Sequence, residues 1–311
     1  MLSLGKKLVV SCSPAWLLCF ALAGPVLSQE RADRDATVAP LIWLPAVYVF
    51  RRHVAEQERM LEFYSDVLGF ERLPNIGAVG RFKVGTTEFK LPPRSFAPFQ
   101  RPGVDDQRPQ GGVKDATGFR LATFFFADEA ELTARFEQHG YPVPEFRSLP
   151  GSANRAALTA DPDGQAVELV IAPNAPAATY LQFEIGLTVS DIEKSRAFYR
   201  DFMGLQELAP IQDPLFGTTK YTFRNGSTFI SLRSFGADLP ADKTSGIIQW
   251  LVTDADRVQT LARERGITVD RPVTAPPDAR LRIVWLDDPD GITQYITETA
   301  ESRAARLPPA R

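Results

Sequence analysis

The sequence predicts an α+β chain of two tandem, homologous domains, each read as strand, helix, strands and then the same order again. Three observations carry this. Phe63-Tyr64-Ser65-Asp66-Val67-Leu68-Gly69 returns as Phe198-Tyr199-Arg200-Asp201-Phe202-Met203-Gly204. The turn Asp161-Pro162-Asp163-Gly164 returns as Asp288-Pro289-Asp290-Gly291. Between these, Asp128 and Asp254, Gly140 and Gly266, and Val143 and Val269 keep one common offset, which marks an internal repeat.

The first 28 residues read as an export address. Lys6 and Lys7 precede a mostly apolar run from Leu8 to Ala23, and Val26-Leu27-Ser28 offers a cleavage site. The run is too short for a membrane span of roughly 20 residues, so the processed protein is expected in the periplasm or secreted, with no membrane partner. Both cysteines, Cys12 and Cys19, fall in this segment, leaving the remainder without thiols or disulfides. The net charge is −3, and loss of Lys6 and Lys7 makes the rest more negative by two. With no basic cluster, nucleic acid is excluded as a partner.

Residues 29–40 read as a flexible lead and 41–173 as the first domain. Ala46 to Phe50 is an apolar strand. Glu56 to Leu68 places Met60, Phe63, Tyr64, Val67 and Leu68 at helical spacing and ends at Gly69. Arg81 to Val84 and Thr86 to Leu91 are strands, and Pro92 to Gly112 is a long loop rich in Pro, Gly and Arg. Phe119 to Phe126 is a strand buried on both faces, Asp128 opens a helix ended by Gly140, and Gln165 to Ile171 closes the domain. Residues 174–180 form the linker.

The second domain, 181–298, repeats the order, and 299–311 is a tail. Phe183 to Val189 is a strand. Ser190 and Glu193 form a capping box for a helix ended by Gly204. Lys220 to Phe223 and Thr228 to Leu232 form a hairpin across Asn225-Gly226. Ile247 to Val252, a helix from Asp254 to Arg265, and Ile292 to Thr297 complete it.

With these residues in place, the chain resembles the vicinal oxygen chelate superfamily of glyoxalases, extradiol dioxygenases and bleomycin and fosfomycin resistance proteins. The resemblance implies that each domain pairs two βαβββ units whose curved mixed sheets enclose a cleft. Whether the units pair within a domain or exchange between domains, which would bring Glu168 and Glu184 together, stays open. It also implies ligands for a divalent metal on the first, fifth and last strands, with another sometimes on the fourth.

Carried across, those positions are Glu184, Ile247 and Tyr295 in the second domain, and Leu44, Leu121 and Glu168 in the first, with Lys90 and Ser231 on the fourth strands. One carboxylate per domain among apolar and aromatic residues leaves too few donors for a selective site, so neither metal nor other cofactor is expected. His53 and His139 do not supply the deficit: the first reads as solvated, and the second sits at a helix C-terminus, where the dipole favours a cation. The Asp-rich turns lack calcium-loop spacing.

A metal-free cleft still offers polar contacts. Strand alternation puts Gly186 and Thr188 on the face of Glu184, Arg233 on that of Ser231, and Gln249 on that of Ile247, with Gly186 leaving room for a ligand. Two readings stand for these residues. Glu184, Arg233, Gln249 and Tyr295, with Lys90 and Ser231, line a small-molecule site; or Glu184 pairs with Arg233, Glu168 with Lys90, and Tyr295 is core. The tandem Arg-Ser-Phe at 94–96 and 233–235 reads as a loop anchor, Phe inward and Arg outward.

The expected function is therefore an exported protein binding a small organic molecule without a catalytic metal. The alternatives are a metal-independent lyase, isomerase or cyclase using Glu184 or Glu168 as base, and a glyoxalase-like or dioxygenase-like metalloenzyme. Pairing of two chains through sheet edges is left open.

Overall fold

A computed structural model of the chain describes residues 36–51, 56–93, 109–243 and 246–306, with the side chains at 45, 46, 48, 50 and 51 excepted. The segment expected to direct export, His53 and Arg94-Ser95-Phe96 lie outside the described residues, as does most of the long loop. Thr37–Arg311 form one compact unit.

Four units follow one another. The first holds β1 (Ile42–Arg51), α1 (Gln57–Glu62), β2 (Glu71–Ile76), β3 (Val79–Val84) and β4 (Thr87–Leu91). The second holds β5 (Gly118–Phe126), α2 (Glu129–Gln138), β6 (Arg147–Ser148), β7 (Arg155–Ala160) and β8 (Ala166–Ile171). The third holds β9 (Phe183–Thr188), α3 (Ile192–Ala197), β10 (Gln206–Glu207), β11 (Ile211–Gln212), β12 (Thr219–Asn225) and β13 (Thr228–Arg233). The fourth holds β14 (Gly246–Val252), α4 (Ala255–Glu264), β15 (Thr268–Arg271), β16 (Leu281–Asp287), β17 (Thr293–Thr299) and α5 (Ala300–Arg306).

Pairing crosses the domains. One mixed sheet of eight strands runs β15-β16-β17-β14-β1-β4-β3-β2, so the first unit joins the fourth. A second, of nine strands, runs β10-β12-β13-β9-β5-β8-β7-β6 with β11 beside β12, joining the second unit to the third. The seams are antiparallel, Val49 opposite Ile248 and Thr123 opposite Glu184. The α+β class and the βαβββ units stand, but the expected curved sheets enclosing a cleft in each domain do not. Among the described residues each sheet is open, ending in edge strands with no further partner. The seam strands are buried along both faces, as in β9 and β14, so an unpaired edge there would strand backbone groups away from water, and joining units satisfies them.

The repeated sequence elements tie the helices down. Each Phe-Tyr pair sits in a widened turn that prolongs its helix, Leu68 N–H donating to Phe63 O at 3.0 Å and Met203 N–H to Phe198 O at 2.9 Å. Gly69 and Gly204 then reverse the chain at φ of 78° and 75°. From that turn Tyr64 Oη donates to Asp161 Oδ2 and Tyr199 Oη to Asp288 Oδ2, both at 2.9 Å. The other oxygen of each Asp accepts N–H groups of its own turn, from Asp163 and Gln165 and from Asp290 and Ile292.

Several local expectations are corrected. The cap of α3 is Asp191, which accepts from Lys194 N, and not Ser190, so the capping box is absent. Residues 300–306 are helical rather than tail, docked by Ser302 Oγ donating to Val252 O at 2.7 Å. Val38, in the expected flexible lead, is buried and donates to Phe202 O. Phe124 and Phe126 are buried, but Phe125 is only half-buried.

Between the sheets lies an aromatic core. Phe89 of the first sheet meets Phe183 of the second at 4.6 Å, and Phe82, Phe89 and Tyr64 stack. The two hairpin turns also touch, Thr87 Oγ1 to Thr228 Oγ1 at 2.5 Å and Thr86 Oγ1 to Ser227 Oγ at 2.6 Å.

Candidate functional site

Each sheet presents one face with chemistry, and the six residues grouped by sequence are divided between them. On the nine-stranded sheet, β8 carries Glu168 and β9 carries Glu184, both opposite Thr123 of β5. Thr123 Oγ1 donates to Glu168 Oε2 at 2.7 Å. Lys220 Nζ lies 3.2 and 3.1 Å from the two oxygens of Glu184. Arg233 donates to Asp213 Oδ2 at 2.7 Å, to Ser231 Oγ at 2.8 Å and to Glu184 Oε1 at 3.3 Å. Three carboxylates thus meet two cations, almost wholly out of water.

The two glutamates titrate in opposite directions. Burial pushes Glu184 up, but Lys220, Arg233 and the Ser231 hydroxyl outweigh it and hold the carboxyl at about 2. Burial also raises Glu168, and the neighbouring Glu184 charge raises it further against the pull of Lys220 and Thr123.

This cluster corrects several expectations. Glu168 is on the other sheet from Lys90 and does not pair with it. Arg233 is buried, not outward, while Phe235 packs against Phe216. The space at Gly186 is taken by the protein itself: an added Cβ would come within 2.7 Å of Leu121 Cβ and 3.3 Å of Arg233 Nη1. A surface cavity of about 430 Å³, lined by Pro142, Val143, Leu158, Thr159 and Leu215 among others, borders the cluster through Leu158, which lies opposite Glu168.

The eight-stranded sheet gathers Lys90, Gln249 and Tyr295. Lys90 Nζ donates to Gln249 Oε1 at 2.9 Å, and Gln249 Nε2 to Thr297 Oγ1 at 2.9 Å. Glu88, 3.9 Å from Lys90, is held by two bonds from Arg81 at 2.7 and 3.1 Å. Burial, against the attraction of Glu88 and aided by Arg81, lowers the Lys90 ammonium to about 8. Beside this polar row stands an apolar wall. Tyr295 lies edge-on to Trp285 at 4.7 Å, Ile247 and Ile283 pack with them, and the Arg271 guanidinium caps the Trp285 ring at 4.5 Å. Burial raises Tyr295 to about 12.

Register also relocates one position. Tyr48 stands opposite Glu88 as Glu184 stands opposite Phe229, so Tyr48 and not Leu44 is the counterpart of Glu184. His139 closes α2 with Nδ1 3.4 Å from Glu62 Oε1, remote from both faces.

Sequence reasoning missed Lys220, Asp213, Trp285 and Arg271. Lys220 was within reach: counting back from the Asn225-Gly226 turn places it opposite Arg233, on the Glu184 face. Trp285 was not, because β16 was not recognised as a strand.

The described residues do not fit a divalent ion. Among the described residues no group of three or more His, Cys, Asp or Glu side chains is placed to hold a metal ion. The pair Glu168 and Glu184 already faces the Lys220 ammonium and the Arg233 guanidinium, whose charges repel a further cation. Among the described residues no helix is long and apolar enough to cross a membrane.

Comparison with known proteins accords with this architecture. A family model described as Glyoxalase/Bleomycin resistance protein/Dioxygenase superfamily matches residues 49–169 and 182–294. Glyoxalase I from Zea mays is similar at 18% identity and TM-score 0.59, over 81% of this chain and 91% of that one. A mutant of glyoxalase I from Zea mays is similar at 18% identity and TM-score 0.59, over 84% of this chain and 95% of that one. Identity at this level speaks to fold alone. No curated relative matches the chain.

Proposed function

The chain belongs to the Glyoxalase/Bleomycin resistance protein/Dioxygenase superfamily, and from that premise we propose that it binds a small aromatic molecule on its eight-stranded sheet without a divalent metal. The observation that carries this is the juxtaposition of Trp285 and Tyr295 with the Lys90–Gln249–Thr297 row. A flat ring gains apolar and edge contacts at the wall, while a carbonyl or carboxylate oxygen on it accepts from Lys90. The expected export from the amino-terminal segment belongs to the same proposal and is checked by sequencing the amino terminus of exported protein.

Tryptophan fluorescence with benzyl alcohol and benzoate tests it. Saturable quenching is expected that disappears in Trp285→Phe, with benzoate weakened at least tenfold by Lys90→Met and neither affected by a chelator. Quenching that survives Trp285→Phe, or that needs a divalent ion, overturns the reading.

A second reading has support from the glutamates. Two adjacent carboxylates driven in opposite directions are the usual equipment of a proton-transfer site, and Glu168, the raised one, is the group suited to carry the proton. On this reading the protein is a metal-independent lyase or isomerase. Glu184, held ionised by Lys220 and Arg233, positions them and is too weak a base to act. The test is exchange of solvent deuterium into an α-hydroxyketone probe followed by NMR. Exchange lost in Glu168→Gln supports it; no exchange by the unaltered protein removes it.

A further inference from the structure

We propose that the chain has a second ligand site, beside the Gly69 turn and apart from both sheet faces described above, that takes a small monocarboxylate with an apolar body, its carboxylate held by Arg135.

The internal repeat shows what is unusual there. The turn at Gly204 is covered by the protein's own segment ahead of β1. A Cβ added at Gly204 would meet Thr37 Oγ1 at 2.5 Å and Ala39 Cβ at 2.8 Å, and Val38 between them is buried, its N–H donating to Phe202 O at 2.9 Å. Over the equivalent Gly69 the nearest atom is instead Arg135 Nη1, 2.8 Å from an added Cβ. Arg135 holds on α2 the place of Leu261 on α4, at the offset that relates Asp128 to Asp254, and Leu261 is buried. Where the chain covers the turn the helix carries leucine; where a cavity lies beside the turn it carries arginine.

That cavity, of about 720 Å³, is walled by Phe70, Phe125, Phe126, Tyr180 and Leu181. Leu181 is 53% exposed and Phe125 half-buried, so an apolar body the size of one ring removes hydrocarbon from water on entering. Arg135 borders it with Nε buried and lacking a hydrogen-bond partner among the described residues. The carboxylate bonded to its guanidinium is that of Glu131, at 3.3 Å and itself 68% exposed. A pair so wet contributes little, and an entering carboxylate offers the guanidinium a drier, two-point contact. The other charges at the rim are engaged: Glu71 pairs with Lys83 at 2.8 Å, and Asp128 Oδ1 accepts from Glu131 N. None of the side chains placed on either candidate face lines the cavity.

The test is an NMR titration of the unaltered full chain with para-fluorophenylacetate, read through the Arg135 Nε–H and the Tyr180 ring resonances, which report on this cavity. Saturable shifts of both are expected. The matching alcohol, para-fluorophenethyl alcohol, is expected to shift Tyr180 with about tenfold weaker affinity and to leave Arg135 unmoved. Arg135→Leu is expected to weaken the carboxylate about tenfold, to the level of the alcohol, without changing the alcohol, whereas a damaged fold would lower both. Glu131→Gln, which frees the guanidinium, is expected to tighten the carboxylate roughly twofold to threefold, a gain that no loss of structure produces. Lys90→Met changes neither titration, which separates this site from the aromatic wall. Equal affinity for acid and alcohol, or an Arg135 resonance unmoved at about 10 mM carboxylate, well above a millimolar dissociation constant, overturns the proposal. A Tyr180 titration that Lys90→Met abolishes and Arg135→Leu spares also overturns it, and leaves the binding reading standing.

Discussion

At the scale of single residues, Glu168 and Glu184 show how identical side chains on the two strands flanking β5 acquire opposite properties. Glu184 has two cations and a hydroxyl against its carboxylate, whereas Glu168 has one hydroxyl and a like charge. Glu184 titrates at about 2 in the fold, below its ordinary range, so its contribution is full above that range and fades as pH falls toward 2. Replacing it leaves Lys220 without its carboxylate. Glu184→Gln is therefore expected to lower the unfolding free energy by about 3 kcal/mol at pH 7 and by roughly half that at pH 3. Glu168 works in reverse: its raised carboxyl binds a proton that the unfolded chain releases, so stability falls as pH rises above the ordinary carboxylate range. Glu168→Gln is expected to be neutral or stabilising at pH 7. Urea titrations of both variants check the pair, and equal losses would contradict this account of their surroundings.

At the scale of elements, the repeated Phe-Tyr and Asp-Pro-Asp-Gly stretches are two ends of one bond. The widened helical turn swings Tyr64 and Tyr199 toward the Asp161 and Asp288 turns, and the buried Asp that results organises the strand that follows. Burial raises Asp288 to about 7 despite the hydrogen bonds it accepts from Ile292 N and Tyr199. Tyr64→Phe and Tyr199→Phe each remove one buried donor, and a loss of about 1–3 kcal/mol is expected from each, read by thermal or urea unfolding. A loss below about 0.5 kcal/mol would mean that the tyrosines are retained for ring packing alone. These motifs, the most visible in the sequence, are thus architectural, and neither candidate face contains them.

At the scale of the whole molecule, each sheet takes strands from both domains while each Tyr–Asp bond stays within one. Neither half can satisfy its seam strand alone, since β1 needs β14 and β5 needs β9. Residues 37–173 and 174–306 produced separately are expected to be unfolded or aggregated, and to yield native-like circular dichroism when refolded together. Calorimetry of the intact chain is expected to show one transition. Two separable transitions, or a folded half, would show that the seams are dispensable.

The repeat, the order of elements, the helix-ending glycines and the Asp turns were legible because each depends on neighbours within a few residues, through backbone conformation and short-range hydrogen bonds. Lys90, Gln249 and Tyr295, or Glu168 and Glu184, could each be picked out as unusual on a strand. Which of them share a face could not, because strand pairing is settled by edges far apart in the chain. Local chemistry therefore determined the four units and their candidate side chains. The seams between the units, decided only in three dimensions by which buried edges satisfied each other, turned those side chains into one cluster with its own counter-ions and one aromatic wall beside an amine.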